Sequence, residues 1–417
     1  MDKPVFLFYC ITIIFVLLTS CYNTTKIENK RDILMLDVEQ GQKNFILKNL
    51  TDFKSNIRYV KLETSNNCLI GNTLYGVYVE DDKIFIRDND PFLKVFDANT
   101  GKFLYNIGSR GQGPGELPCL RSIDINIKER TILLGCRKVL KYNFEGEYLG
   151  DATLPNLPAS DSTDILWDNV VMHDEFMFSV GAYTASEHQI NALIIFDEKS
   201  NIVNTLKSYD DYIQHPVVLT YSPQQQIGFY YRYIDCVYFI RGLCDTVYAF
   251  NPSKQGFEPH FYFNFGKYRQ SREAEGPGMT LNPDEIRVEQ LSENEEFVFI
   301  DFWTRKASTE PFNDYFVRDG KNVEIVNYSI YAVFDKQERI FNFLLQPVKG
   351  IRGLENDIDN GMPFWPKYIS SENEFADYWQ AYDFIDKANK IPNPDDSFKK
   401  FLESVDEEDN PIIIIAY

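Results

Sequence analysis

Lys83-Ile-Phe-Ile-Arg-Asp88, Leu93-Lys-Val-Phe-Asp97 and Gly101-Lys-Phe-Leu104 set out a unit that the rest of the chain repeats. A short charged turn leads into a strand. After a gap, a second strand ends near Phe-Asp, and a Gly turn opens a third. The same order returns as Arg130–Gly135, Val139–Asn143 and Gly146–Leu149, then as Glu175–Val180, Ala192–Asp197 and Ile202-Val203. A fourth copy reads Asp235–Ile240 and Thr246–Phe250, and a fifth Glu296–Asp301 and Tyr315–Arg318. The units start at 83, 130, 175, 235 and 296, at intervals of 47, 45, 60 and 61 residues. Periods near 45 with three or four short strands per unit are those of propeller blades. The longer intervals leave room for loops such as Arg269–Asp284, with Gly276-Pro-Gly278 inside it.

A single blade cannot bury both of its faces. Arrangement in a ring supplies the partner surface, and closure removes exposed sheet edges. Pro411-Ile-Ile-Ile-Ile-Ala-Tyr417 is a strong strand at the far end of the chain, and Asn56–Leu62 is a strand ahead of the first full repeat. The N-terminal strand is therefore expected to complete a last blade that also holds Phe364–Ile369 and a segment within Phe375–Phe384. Ser397–Val405 has helical spacing (Phe398, Phe401, Leu402, Val405) and reads as a small helical insertion. The fold class expected is all-β, a six-bladed β-propeller. A count of seven would follow if Gln226–Tyr233 belonged to a blade of its own.

The chain has 417 residues, 62 acidic against 42 basic, a formal net charge of −20, and 44% apolar residues including 33 Phe and 26 Tyr. Such a chain can fill a large core, and the aromatic load suits wedge-shaped packing between sheets. The acidic balance argues against nucleic-acid binding and against adhesion to anionic lipid, both of which run on Lys and Arg.

The first residues read as an address. Val5–Leu18 is an apolar run of 14 residues, about 21 Å as a helix, short of a ~30 Å hydrocarbon core. Leu18-Thr19-Ser20-Cys21 looks like a bacterial lipobox, with cleavage before Cys21 and acylation of that residue. Several acyl chains anchor stably where one does not. The expected organisation is a signal peptide over 1–20, a lipid-linked tether and lead-in over 21–47, and the propeller over 48–417. Cys68, Cys119, Cys136, Cys236 and Cys244 then remain. Isolated buried thiols are the favoured reading, with a Cys236–Cys244 pairing left open. No C-x-x-C pair supports a zinc site.

These residues resemble a known family, the six-bladed β-propeller lipoproteins of Gram-negative bacteria, related to NHL-repeat propellers. The resemblance is carried by Cys21, Tyr59–Thr64, Leu93–Asp97, Gly101–Glu116 (with Gly113-Pro-Gly-Glu116 its most specific part), Asp245–Tyr248 and Glu408–Pro411. It implies a propeller and an envelope lipoprotein, with the membrane reached through Cys21, and it carries no catalytic residues over.

Candidate sites are few. Gly108–Gly115 lacks the Gly-Lys-Ser/Thr and the helix of a phosphate loop. It reads as a Gly-permitted turn between blades, with Arg110 and Glu116 bonding backbone groups; ligand contact from Arg110 is the alternative. Asp357-Ile-Asp-Asn-Gly361 begins like a calcium loop but has Tyr368 at the twelfth position, which excludes an EF-hand. His173, His188, His215 and His260 are scattered, so no metal or cofactor is expected. Trp303, Trp365 and Trp379, and Tyr230-Tyr-Arg-Tyr233, are candidates for stacking on a sugar, or else inter-blade filler. The function expected is a non-enzymatic binding or scaffold propeller of the cell envelope, on the outer membrane, for a peptide, glycan or envelope partner. Arg110, Trp303 and Trp365 are its ligand candidates. The alternatives are a lyase or hydrolase acting in the central channel, or a sensor partner of a membrane regulator.

Overall fold

The repeats fold as they do because their middle strands are apolar on both faces. Ile84 and Ile86 point to one side of a strand and Phe85 to the other, and all three are fully buried. Side chains alternate across a strand, so such a run needs a packed neighbour on each face. The computed structural model describes residues 33–155, 170–179, 191–207, 228–241, 244–269, 284–304, 312–318 and 321–417. In it the neighbours are sheets of the same kind, arranged as the six blades of a β-propeller.

Blade 1 is Gly76–Glu80, Lys83–Arg87, Leu93–Asp97 and Phe103–Ile107, antiparallel and in that order from the channel outward. Blade 2 is Ser122–Asn126, Thr131–Gly135, Val139–Asn143 and Tyr148–Asp151. Blade 3 is Val170–His173, Phe176–Ser179, Asn191–Asp197 and Ile202–Lys207. Blade 4 is Gly228–Tyr233, Cys236–Arg241, Thr246–Asn251 and Gly256–Phe263. Blade 5 is Ile286–Glu293, Phe297–Thr304, Ile330–Asp335 and Ile340–Leu344. Blade 6 joins Tyr368–Ile369, Phe375–Trp379 and Ile412–Ala416 to Ile57–Lys61.

The register of blade 6, from Ile57 opposite Ala416 to Lys61 opposite Ile412, is the closure expected from the sequence. Helix Asp396–Leu402 lies in the connection between its second and third strands, as expected for Ser397–Val405, and the same connection holds a second helix, Ala381–Ala388, that the sequence reading did not give. The buried apolar side chains fall into six clusters, one at each junction between blades. Ile412 and Ile414 pack toward blade 5 while Ile413 and Ile415 pack toward blade 1. That sixth junction makes the arrangement a ring rather than a row.

Three details differ from the sequence reading. Each predicted unit begins at the second strand of its blade, so the innermost strands of blades 1 to 5 lay outside the units, and Gly228–Tyr233, the described part of Gln226–Tyr233, is the innermost strand of blade 4. Tyr315–Arg318 is not a blade strand: Phe312–Arg318 pairs with Lys321–Asn327 in a separate hairpin, and Ile330–Asp335 takes the predicted place. Alternation alone cannot distinguish a protruding hairpin from a blade. The lead-in also contributes structure. Leu34–Leu36 adds in parallel to the outer edge of blade 4, and Phe45–Ile46 does the same to blade 5.

Gly101 shows how tightly neighbouring blades meet. It has φ +70°, and a Cβ there would stand 2.0 Å from the Lys61 carbonyl oxygen of blade 6. Gly101→Ala is expected to destabilise the protein by at least ~1 kcal/mol, since φ is left-handed and the obstacle is backbone. A urea titration checks this; an unchanged midpoint would show that the turn shifts freely.

Successive strands alternate in direction, which sorts the connections onto two faces. Short turns such as Asp81-Asp82 lie on one face. Among the described residues the connections 108–121 and 345–367, the helices Ala381–Ala388 and Asp396–Leu402, and the hairpin of Phe312–Arg318 with Lys321–Asn327 lie on the other, hereafter the loop face.

Candidate functional site

The inner strands carry buried polar residues among their apolar ones. Asp124 of blade 2 has a side chain only 1% exposed. Its Oδ1 accepts from Arg232 Nε at 2.8 Å and its Oδ2 from Arg232 Nη2 at 2.8 Å. The Met172 amide of blade 3 donates to the same Oδ2 at 2.9 Å. Arg232 belongs to blade 4, so the pair reaches past blade 3 to blade 2. Two residues earlier on the same inner strand, Tyr230 Oη donates to the Ile123 carbonyl of blade 2 at 2.5 Å. Burial works against the Arg232 charge, but Asp124 holds its pKa above the usual guanidinium value. Burial, then the Asp124 charge, pushes the Tyr230 phenol well up.

A second polar knot joins blades 6 and 1. Glu80 accepts from Tyr368 Oη at 2.7 Å, the Ser371 amide at 2.9 Å and Ser371 Oγ at 2.6 Å. Burial raises the Glu80 pKa, and these bonds pull it back only in part. The Tyr78 ring of blade 1 meets the Tyr368 ring edge-on at 5.4 Å. Among the described residues the channel wall is thus a set of ion pairs, phenols and carboxylates that already have partners.

The loop-face mouth over blades 5 and 6 has a different character. Arg287 lies 4.1 Å over the Trp303 ring, and Arg352 lies 4.1 Å over Tyr331. Lys367 sits 4.2 Å over Tyr378 and 5.0 Å over Trp379. Carboxylates stand beside all three cations: Glu285 at 3.5 Å from Arg287, Asp301 at 3.1 Å from Arg352, and Asp377 at 2.7 Å from Lys367. Burial raises the Asp301 pKa despite Arg352 beside it. Tyr378, Trp379 and Trp303 remain half-buried. The row can hold a flat, partly apolar ligand face while charged groups offer hydrogen bonds.

The structure separates the predicted site residues. Trp303 is in this row. Trp365 lies beneath it, 3% exposed and stacked on Tyr331 at 4.0 Å, so the ring predicted to meet ligand is core. Arg110 is elsewhere, between blades 1 and 2, with a side chain 63% exposed and 3.5 Å from Asp90. The Gly-rich stretch turns around Glu116, whose Oε2 accepts from the Gly113 amide at 2.9 Å; Arg110 pairs with a carboxylate and not with backbone. Tyr231 stacks on Tyr238 inside the junction of blades 4 and 5. Cys21 lies outside the described residues.

Cys119 and Cys136, expected as isolated thiols, form a disulfide with Cα atoms 5.9 Å apart. They lie 17 residues apart in sequence and on different connections, so spacing did not reveal them. Cys236 and Cys244 are both free. The Asp357–Gly361 turn uses its carboxylates internally: Asp357 accepts from the Thr51 amide at 3.0 Å and Asp359 from Asn356 Nδ2 at 2.7 Å. Among the described residues no group of three or more His, Cys, Asp or Glu side chains is placed to hold a metal ion.

A family model described as a domain of unknown function, DUF4934, matches residues 34–417. No curated protein matches the chain. A crystal structure from Bacteroides fragilis, of a protein named as exported, is similar at a TM-score of 0.62 and 17% identity, covering 92% of this chain and 99% of its own. A Bacteroides vulgatus member of the DUF4221 family aligns at a TM-score of 0.47 and 9% identity, over 87% of this chain and 96% of its own. The first likeness is one of fold.

Proposed function

We propose, from the premise that this chain belongs to the DUF4934 family of unknown function, that it is an envelope lipoprotein whose loop-face mouth captures a ligand without transforming it. The observation that carries the reading is the contrast between channel and mouth. Among the described residues the channel carboxylates Asp124 and Glu80 are engaged by Arg232, Tyr368 and Ser371, which already occupy their oxygens. The mouth presents half-buried aromatic rings with cations set over them. Loops and strand ends from several rigid blades meet at one place, an arrangement suited to binding. The ligand classes that fit are a glycan, a peptide or an envelope partner.

The location rests on Cys21 in its lipobox setting, with the ring tethered by acyl chains to the outer membrane. The Cys119–Cys136 disulfide supports an oxidising compartment outside the cytoplasm. The Bacteroides fragilis protein of similar fold bears the name of an exported protein, which accords with this. In labelling with an alkyne fatty acid, the wild-type chain is expected to be acylated and to fractionate with membranes. Cys21→Ala is expected to lose the label and leave the membrane; a variant that stays acylated and bound would overturn the anchor. For the mouth, a panel of purified glycans and peptides is expected to contain a binder that Trp303→Ala with Trp379→Ala weakens at least tenfold. Binders that ignore both changes would overturn the capture site.

A further inference from the structure

One guanidinium on the loop face of blade 1 differs from several arginines elsewhere in the ring. Arg58, Arg232, Arg287 and Arg352 each stand beside a carboxylate. Arg87, the last residue of the second strand of blade 1, has no carboxylate partner among the described residues. Its Nη2 donates to the main-chain carbonyls of Leu120 at 3.3 Å and Arg121 at 2.6 Å. Its Nε is buried without a hydrogen-bond partner, as is that of Arg58, and its guanidinium lies 5.4 Å over the Tyr75 ring. Carbonyl dipoles offset part of the cost of desolvating a cation, but a counter-ion offsets far more. The chain carries 62 acidic residues, so a carboxylate opposite Arg87 was within its means.

The position of Arg87 suits a ligand. It pairs in register with Gly76, where the inner strand of blade 1 leaves the loop face. A Cβ on Gly76 would stand 2.8 Å from Tyr78 Oη, so the glycine makes room for that hydroxyl at the same end of the strand. The Arg87 charge reaches both Tyr78 and Tyr230, and lowers their pKa values against the effect of burial. From Tyr78 the aromatic row continues through Tyr368 into blade 6, where Tyr378 and Trp379 stand half-buried.

We propose that the loop-face mouth takes an acidic saccharide, with the carboxylate of a uronate residue on Arg87 and pyranose rings over Tyr378 and Trp379. This rests on the capture reading above and names its ligand class. A row of half-exposed rings matches the flat apolar face of a pyranose, whereas a peptide terminus would need Arg87 alone. A single negative charge fits better than a phosphate, because Asp124 and Glu80 line the same channel and the whole chain is acidic.

The test is calorimetric titration of the full chain in detergent with tri-galacturonate, with its methyl ester, and with a short peptide bearing a free α-carboxylate. Tri-galacturonate is expected to bind, and the ester at least tenfold more weakly. Arg87→Gln should weaken the acid at least tenfold without changing the ester, and Arg87→Lys should restore part of the loss. Should Arg87→Gln fail to fold, the ester comparison on the wild-type chain still decides. Equal affinity for acid and ester overturns the carboxylate site while leaving glycan capture standing. Binding of the peptide alone overturns the saccharide. No binding of any of the three by a chain with a normal thermal melt also overturns the proposal, and capture then rests on the Trp303 and Trp379 panel.

Discussion

Removing Ile412–Tyr417 is expected to abolish cooperative unfolding altogether. Ile412, Ile413, Ile414, Ile415 and Ala416 are each 0% exposed. Four isoleucines at about 1.5–3 kcal/mol each represent roughly 6–12 kcal/mol of burial. A native domain is stable by only about 5–15 kcal/mol in total. The truncation also takes the pairing partner from Phe375–Trp379 on one side and from Ile57–Lys61 on the other. Two junctions between blades lose their filler at once, since alternate isoleucines serve different neighbours. Circular dichroism during heating is the check. A truncated chain that melts within a few degrees of the full one would mean that the ring does not depend on this strand.

Asp124→Ala is expected to cost about 3–5 kcal/mol, the usual result of leaving one member of a buried ion pair behind. Arg232 would lose both carboxylate oxygens, and the Met172 amide would lose its acceptor. Arg232→Met should also destabilise, because the carboxylate would then lie buried without its cation. Asp124→Leu combined with Arg232→Met should recover much of the loss, since a packed apolar pair avoids desolvation of both charges. Urea denaturation of the single and double variants measures the coupling. A double variant as unstable as the sum of the singles would show that the two residues contribute independently and do not brace blades 2 and 4 as a pair.

The residues of this ring differ in how much they disclose before folding. Middle strands such as Lys83–Arg87 and Ile412–Ala416 are buried on both faces and read as apolar runs, so the repeats and the closing strand were visible. The inner strands hold Glu80, Asp124, Arg232 and Glu293, which suit a polar channel and break the apolar pattern. Site residues were harder to read because each owes its role to a partner far along the chain. Arg232 meets Asp124 across 108 positions. Trp365 had the composition of a ligand contact, but Tyr331 covers its ring. Arg87 carried no signal in the sequence, since what sets it apart is that no carboxylate pairs with it among the described residues, where its Nη2 donates to carbonyls. The lipobox-like stretch at Leu18–Cys21 and the aromatic character of Trp303 and Trp379 are the sequence features on which the proposed function draws.

The two short strands added outside blades 4 and 5 have a mechanical consequence. A tug on the chain ahead of Leu34 meets Leu34–Leu36 first and Phe45–Ile46 second, before any load arrives at Ile57–Lys61. Leu36 and Val38 are 0% exposed and pack into the junction of blades 4 and 5, so such a pull must first undo buried contacts there. The two added strands therefore stand between a pull from that end and the segment that shuts the ring.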